Sequence, residues 1–250
     1  MNETIETILN HRSIRKFTDQ SLSEEQVEII VRAAQQASTS SYMMAYTIIG
    51  VTDSEIKKQL AEVSGQFYVE KNAHLFVFCA DLSRIKAIEA SDEEAAKMIE
   101  ENLQSTEQFI VATVDAALAA QNAAIAAESL GLGICYIGSL RNDINRVNEI
   151  LELPEYVYPL FGMVIGYPAH EPEKKPRFPM ELIYHENTYK SHEEADKYVK
   201  DFDETLKTYY ANRSFNTRHD TWTKQMLRKY KVPQRLDVGP FIKKKQMNRH

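Results

Sequence analysis

The chain has only two cysteines in 250 residues, Cys79 and Cys135. Both lie inside apolar runs, LFVFCA and GICYIG, where a thiol behaves as a small buried hydrophobe. A disulfide framework is thereby excluded, and a reducing compartment, the cytoplasm, is the expectation. Glycine is equally sparse, with eight residues. There is no G-x-x-x-x-G-K-[ST] phosphate loop, and GLG at 131–133 lacks the third glycine of a dinucleotide fingerprint. The seven histidines are scattered and neither C-x-x-C nor H-E-x-x-H occurs, so no metal site is expected. IGSLR at 137–141 does not supply a G-x-S-x-G elbow, which removes the usual serine hydrolase. No apolar run reaches 18 residues, and MNETIETILNHRS has neither the basic nor the apolar stretch of a signal peptide. No membrane association is expected, and any chemistry must come from a bound cofactor.

What the chain does have is a core-forming apolar fraction of 43% and an uneven distribution of charge. Residues 190–250 hold 15 Lys and Arg against 8 Asp and Glu, a balance of +7, whereas residues 1–189 balance at −13. The division suggests a core over 1–189 and a helical, cationic appendage over 190–250. The basic residues of the appendage alternate with acids up to residue 204, which disfavours a nucleic-acid stripe and leaves a phosphorylated small molecule as partner.

Periodicity predicts a short helix through Ile5, Ile8 and Leu9, then a second opened by a Ser23/Gln26 capping box and buried along Val27, Ile30, Val31 and Ala34. Strands are expected at 45–51, 74–80, 133–138 and 157–166, with helices at 53–63, at 107–130 and around Ile144, Val147 and Leu151. The 107–130 helix is alanine-rich on all sides, which implies burial in a core or between subunits, and Gly131 stops it. Four prolines in 167–179 forbid regular structure there. Strand and helix alternate, so pattern alone favours a parallel α/β sheet.

Three basic islands carry the candidate chemistry. HRSIRKF at 11–17 joins one imidazole to three full positive charges, Lys175-Pro176-Arg177 forms the second island, and Arg213 with Arg218 the third. Imidazole, hydroxyl, ammonium and guanidinium together match the acceptor oxygens of a phosphate. A solvated charge cluster is the alternative for each island taken alone.

HRSIRKF, STSSY, SGQ-x-Y-V ahead of FVFCADL, NAAIAAESLGLGICYIGSLRND, KPRFP and YYANRSFNTRHDTW, in that order, resemble the FMN-dependent nitroreductase superfamily. Within it they resemble the oxygen-insensitive NADPH nitroreductase and flavin reductase branch. The resemblance spans the whole chain. It implies an α+β fold, with a mainly antiparallel sheet flanked by helices, in an intertwined homodimer, and this replaces the parallel sheet suggested by pattern. It implies that His11, Arg12 and Ser13 hold the FMN phosphate and ribityl chain, with Lys175 and Arg177 closing on the phosphate. Arg15 would meet the N1/O2 edge and tune the flavin, and Gln66 would read the N3/O4 edge. Thr39, Ser40 and Ser41 would reach the flavin of the other subunit. Tyr136, Ile137, Gly138 and Ser139 would lie over the ring, with a backbone N–H near Gly138 donating to N5. Two positions depart from the branch, which often has Gly at Ser139 and Gln at Met44. Arg213 and Arg218 match the arginines that grip the 2′-phosphate of NADPH.

The resemblance implies an NADPH-dependent, ping-pong reduction of nitroaromatics, quinones, azo compounds or free flavin, with no side chain acting as acid or base. The rival is a non-enzymatic nucleotide- or nucleic-acid-binding protein built on the same basic islands.

Overall fold

Local capping chemistry sets the first boundaries in the computed structural model, which describes residues 1–214 and 216–250, the side chains of 192–194 excepted. Helix α1 spans Glu3–Leu9, with Asn2 accepting from Ile5 N at 3.0 Å. Helix α2, Glu24–Gln35, opens with the predicted box, since Gln26 N donates to Ser23 Oγ at 3.1 Å and Ser23 N to Gln26 Oε1 at 3.0 Å. Strand β1 (Tyr46–Val51), helix α3 (Ser54–Ser64) and strand β2 (His74–Asp81) follow close to their expected places. Periodicity assigns nothing to residues 83–103, where the structure has α4 (Ser83–Lys86) and α5 (Glu93–Leu103). Then come α6 (Thr106–Ser129), β3 (Gly133–Ile137), α7 (Ile144–Ile150) and β4 (Val157–Gly166).

The four strands pair in the order β1-β2-β4-β3, antiparallel throughout, so the parallel sheet suggested by pattern alone is incorrect and the α+β reading holds. The misleading signal has a physical cause. Continuous apolar runs normally mark parallel strands covered on both faces, and here antiparallel strands are covered on both faces. Every residue of β2 is buried. Its even positions Phe76, Phe78 and Ala80 pack with Ile30 of α2 and the alanines of α6. Its odd positions Leu75, Val77 and Cys79 pack with Leu60 and Val63 of α3 and Val147 of α7.

Helix α6 buries Ala112, Ala116, Ala119, Ala120, Ala123, Ala124 and Ala127, all at 1% exposure or less. Small side chains let α6 approach the sheet closely. The opposite side carries Ile110, Val114 and Leu118, which are exposed. Among the described helices α6 alone is long and apolar enough to cross a membrane, but its alanine side is committed to this core. Gly131 follows it in the left-handed region at φ +75°, the expected stop.

The described chain divides into two compact units, Met1–Pro172 with Arg235–His250, and Glu173–Gln234. Helix α8 (His192–Ala211) and helix α9 (Trp222–Tyr230) belong to the second, whose core gathers Phe178, Phe202, Leu206, Tyr210 and Trp222. Helix α10, Val238–Lys244, belongs to the first unit and adds Phe241 and Ile242 to its core.

Candidate functional site

The 11–17 motif is laid along the free edge of β3. Ile14 N donates to Ile134 O at 2.8 Å, Ser13 makes a parallel bridge to Ile134, and Thr18 N donates to Tyr167 O at 2.9 Å. Ile14 plugs into the core at 3% exposure, and Gly133 makes room for it: a Cβ there would stand 2.4 Å from Ile14 Cγ1. This seating divides the motif. His11 Nδ1 lies 2.6 Å from Glu128 Oε1, so Nδ1–H donates to the carboxylate. Arg12 Nη1 donates to Glu171 Oε2 at 3.1 Å. Arg12 lines a cavity of about 460 Å³ together with Glu3, Glu6, Glu171 and Glu128, the partner of His11.

Ser13 and Arg15 turn the other way, toward β3 and the segment after α3. There the thiol of Cys135, the phenol of Tyr68 and the amide of Gln66 meet them. Tyr68 Oη donates to Gln66 Oε1 at 2.5 Å. Burial pushes the Cys135 thiol up, against the opposing pull of Arg15, Ser13 and Tyr68. Burial, and then Cys135, also raise the Tyr68 phenol, while Arg15 opposes them. An inert thiol results, in keeping with the expected packing role.

The stretch Tyr136–Ser139 closes this side. Tyr136 donates from Oη to Ala120 O at 2.9 Å and sets its ring edge-on to Phe161, while Ile137 is buried at 1% exposure. Burial, and next the Glu128 carboxylate, raise the Tyr136 phenol. Gly138 and Ser139 begin a 3₁₀ segment, Gly138–Asp143, that Asn142 ties to the end of α3 by donating to Val63 O at 3.4 Å. Ser139 Oγ is buried with no hydrogen-bond partner. Ser13, Arg15 and Gln66 thus gather around Cys135 and Tyr68, and this donor-bearing set fits the carbonyl- and nitrogen-bearing edge of a flavin.

Thr39, Ser40 and Ser41 lie elsewhere. Their loop feeds β1, the opposite edge of the sheet from β3, about 14 Å away at ~4.8 Å per strand step. Asp115 on α6, 1% exposed, accepts from Ser40 N at 3.0 Å and Ala45 N at 3.1 Å. Ser41, Tyr42 and Met44 all adopt left-handed backbone, with φ of 49°, 59° and 48°. Arg84 steadies the same loop by donating to Met44 O at 3.0 Å.

In the second unit, three predicted cations converge on one ring. The Arg218 guanidinium stands 4.1 Å from the Tyr210 centroid, that of Arg213 5.8 Å, and the Lys175 ammonium 6.0 Å. Arg177 Nη1 donates to Lys175 O at 2.7 Å. Burial acts to raise the Tyr210 phenol, but Lys175 and Arg218 outweigh it and hold it below its ordinary value. Asp220 takes both Arg228 nitrogens, at 3.1 and 2.7 Å, and lies 3.4 Å from Arg218 Nε. Arg213 Nε is buried without a partner among the described residues.

Sequence reasoning assigned no role to Asp115, Glu128, Tyr68 or Tyr210. An acid in the alanine-rich middle of α6 signals Asp115, and Tyr68 stands inside the quoted SGQ-x-Y-V turn. Glu128 and Tyr210 acquire meaning only from contacts distant in sequence.

Comparison with known proteins identifies the family. The "Nitroreductase family" model matches residues 8–167, and "Nitroreductase family, C-terminal domain" matches 175–250. The FMN reductase (NADPH) of Bacillus subtilis is 50% identical over 252 residues, covering all of both chains. An NADPH-dependent oxidoreductase of Staphylococcus saprophyticus is 43% identical, over 98% of this chain and all of that one. Among solved structures, a nitroreductase from B. subtilis superposes with a TM-score of 0.91 at 48% identity, over 99% of this chain and 100% of that one. The NADPH:FMN oxidoreductase from Vibrio harveyi, complexed with NAD+, gives 0.84 at 38% identity over the full length of both. With a fold, a motif order and a family model that coincide from the first basic island to β4, the chain belongs to the nitroreductase family.

Proposed function

We propose that this protein is an FMN-dependent oxidoreductase that takes electrons from NADPH and passes them to small organic acceptors. Nitroaromatics, quinones, azo compounds and free flavin are the acceptor classes. The observation that carries the reading is the gathering of Ser13, Arg15 and Gln66 around Tyr68 and Cys135, in a chain half identical to an FMN reductase (NADPH). Bound FMN supplies a ring that accepts and returns electrons, which no side chain here can do.

The chain's own residues bind and orient. Ser13 and Arg15 donate to acceptor atoms of the cofactor, Gln66 adds an amide, and Gly138 leaves backbone N–H groups uncovered by a side chain. His11 and Arg12 are assigned to the cofactor phosphate, and Arg12 must then exchange Glu171 for that phosphate. Such an exposed ion pair is worth about 0–1 kcal/mol, so a dianion displaces it readily. Arg213 and Arg218 are assigned to the 2′-phosphate of NADPH. No titrating side chain is needed, in keeping with the absence of a catalytic acid or base in this reading.

The active form is a homodimer in the cytoplasm. Thr39–Ser41 leave from the sheet edge opposite Tyr136–Ser139, so they serve the flavin site of a second copy more readily than their own. The exposed Ile110, Val114 and Leu118 row on α6 gives that copy an apolar seat. Both described cysteines are free, as a reducing compartment requires.

One spectrum tests the reading. Purified protein should be yellow or take up FMN stoichiometrically, and its visible bands should bleach anaerobically on adding NADPH. Colourless protein that refuses FMN but retards DNA in a gel would establish the binding-protein rival instead.

A further inference from the structure

Tyr68 is 8% exposed and its hydroxyl donates to Gln66 Oε1 at 2.5 Å, while Arg15 and Cys135 both act on the same phenol. A phenol has one hydrogen to give and lone pairs to receive, whereas a guanidinium only donates. A guanidinium acting on that phenol can meet only its lone pairs, which leaves the phenol hydrogen for Gln66 or Cys135. A thiol sulfur is a weak acceptor, so the hydrogen goes to Gln66, and the carboxamide must then turn its oxygen to the phenol, as it does at 2.5 Å. This settles which way the carboxamide points on chemical grounds: its oxygen is occupied inside the protein and its –NH₂ is the group left to meet a ligand.

The turn that presents Gln66 is itself fixed. Gln66 N donates to Ser64 Oγ at 3.1 Å and to Ala61 O at 3.3 Å, and Val69 N returns to Gln66 O at 3.0 Å. The backbone cannot swing to offer the oxygen instead, and only a side-chain flip that breaks the Tyr68 bond would do so.

We propose that Tyr68 is a positioning residue of the flavin site, which, by holding Gln66 Oε1, turns Gln66 and Arg15 into an edge made of hydrogen-bond donors alone. Such an edge selects a ligand whose facing atoms are carbonyl oxygens or unprotonated ring nitrogens. The inference rests on the flavin reading above and revises one part of it: Gln66 meets O4 and leaves N3–H unread. A donor at O4 and a cation toward O2 both draw electron density to the pyrimidine end, so the same arrangement favours the reduced cofactor.

A double-mutant cycle on the full-length protein tests this, with FMN dissociation constants, cofactor midpoint potentials and apoprotein melting temperatures as readouts. Tyr68→Phe keeps the ring and removes the hydroxyl. It should weaken FMN binding about 5- to 10-fold and make the potential more negative, as expected for loss of one hydrogen bond. Gln66→Leu should do the same, and the Tyr68→Phe/Gln66→Leu pair should be no worse than Gln66→Leu alone. Gln66→Glu keeps the acceptor for Tyr68 but loses the outward donor, so it should bind FMN more weakly than Gln66→Leu. Additive effects in the cycle, an unchanged potential in Tyr68→Phe, or Gln66→Glu binding as tightly as the parent would each overturn the proposal while leaving the flavin reading intact. Should Tyr68→Phe lower the apoprotein melting temperature, the Gln66→Glu comparison decides alone. Failure of the parent protein itself to bind FMN would overturn both.

Discussion

Asp115, in the middle of the alanine face of α6, accepts a hydrogen bond from the backbone N–H of Ser40 at 3.0 Å. Its other oxygen takes Ala45 N, so one buried carboxylate clamps both ends of a loop that holds three left-handed non-glycine residues. Each such residue costs on the order of 1 kcal/mol or more, and the clamp is what offsets it. Asp115→Asn presents an –NH₂ to at least one of two backbone donors. It is expected to cost about 2–3 kcal/mol in urea unfolding and to lower FMN affinity if the loop serves a cofactor. A loss under about 0.5 kcal/mol would show that the loop holds itself.

A second prediction concerns the seat of the basic motif. Ile14 lies against the bare Cα of Gly133, where a methyl group would come within 2.4 Å of Ile14 Cγ1 and 2.7 Å of Ile14 Cβ. Ile14 is buried and β-branched, so it cannot rotate away, and the strand carrying Ser13 and Arg15 must lift. Gly133→Ala is expected to destabilise by about 1–3 kcal/mol and to weaken FMN binding beyond tenfold. Ile14→Ala in the Gly133→Ala background removes both γ carbons that the new methyl meets and should recover part of the FMN affinity. Cofactor titration of the two variants side by side checks it, and no recovery would place the damage elsewhere.

His74 provides a prediction of pH dependence. It is 7% exposed, its Nε2 has no partner, and burial, followed by the nearby Lys57 charge, lowers its pKa from 6.5 to about 4. The unfolded chain protonates His74 below about pH 6.5, whereas the folded chain does so only below about pH 4. Between those values the unfolded state binds more protons, so stability falls as pH drops through that window and the loss levels off beneath it. The full effect is at most about 3.5 kcal/mol at ~1.4 kcal/mol per pKa unit. His74→Gln should remove this part of the slope in urea unfolding series at pH 7, 5.5 and 4.5. An identical slope in the variant would assign the acid sensitivity to other groups.

These three sites mark what sequence could and could not reveal. The helix starts were legible because Ser23 and Asp53 cap them through bonds only two or three residues long. The buried strands were legible from apolar runs, but their direction was not. Runs such as HLFVFCAD report that both faces are covered and are silent on which neighbour pairs with which. Residues 83–103 escaped because α5 keeps only Leu103 fully buried and its apolar stripe, Ala95, Ile99 and Leu103, is short and of modest size. At the candidate site, HRSIRKF advertised its charge, yet nothing local shows that His11 and Arg12 part from Ser13 and Arg15. That division depends on Glu128, Glu171 and Cys135, all more than a hundred residues away.

The last prediction separates the two nicotinamide nucleotides. NADPH differs from NADH by one 2′-phosphate, so residues that read only that group change one KM and not the other. Arg218 is stacked on Tyr210 and held by Asp220, whereas Arg213 has a buried Nε with no partner among the described residues. Arg218 therefore enters binding already ordered, and Arg213 has a donor still to satisfy. A charge-assisted hydrogen bond is worth about 1.5–3 kcal/mol, or roughly 10- to 150-fold in affinity. Arg213→Ala and Arg218→Ala should each raise the KM for NADPH at least tenfold while leaving that for NADH within about twofold. Asp220→Asn keeps both guanidinium groups but loosens Arg218, so it should raise the NADPH value by a smaller factor than Arg218→Ala. Parallel steady-state measurements with both nucleotides and one quinone acceptor decide the matter. Equal losses with NADH and NADPH would show that the arginines hold the second unit together and do not select its nucleotide.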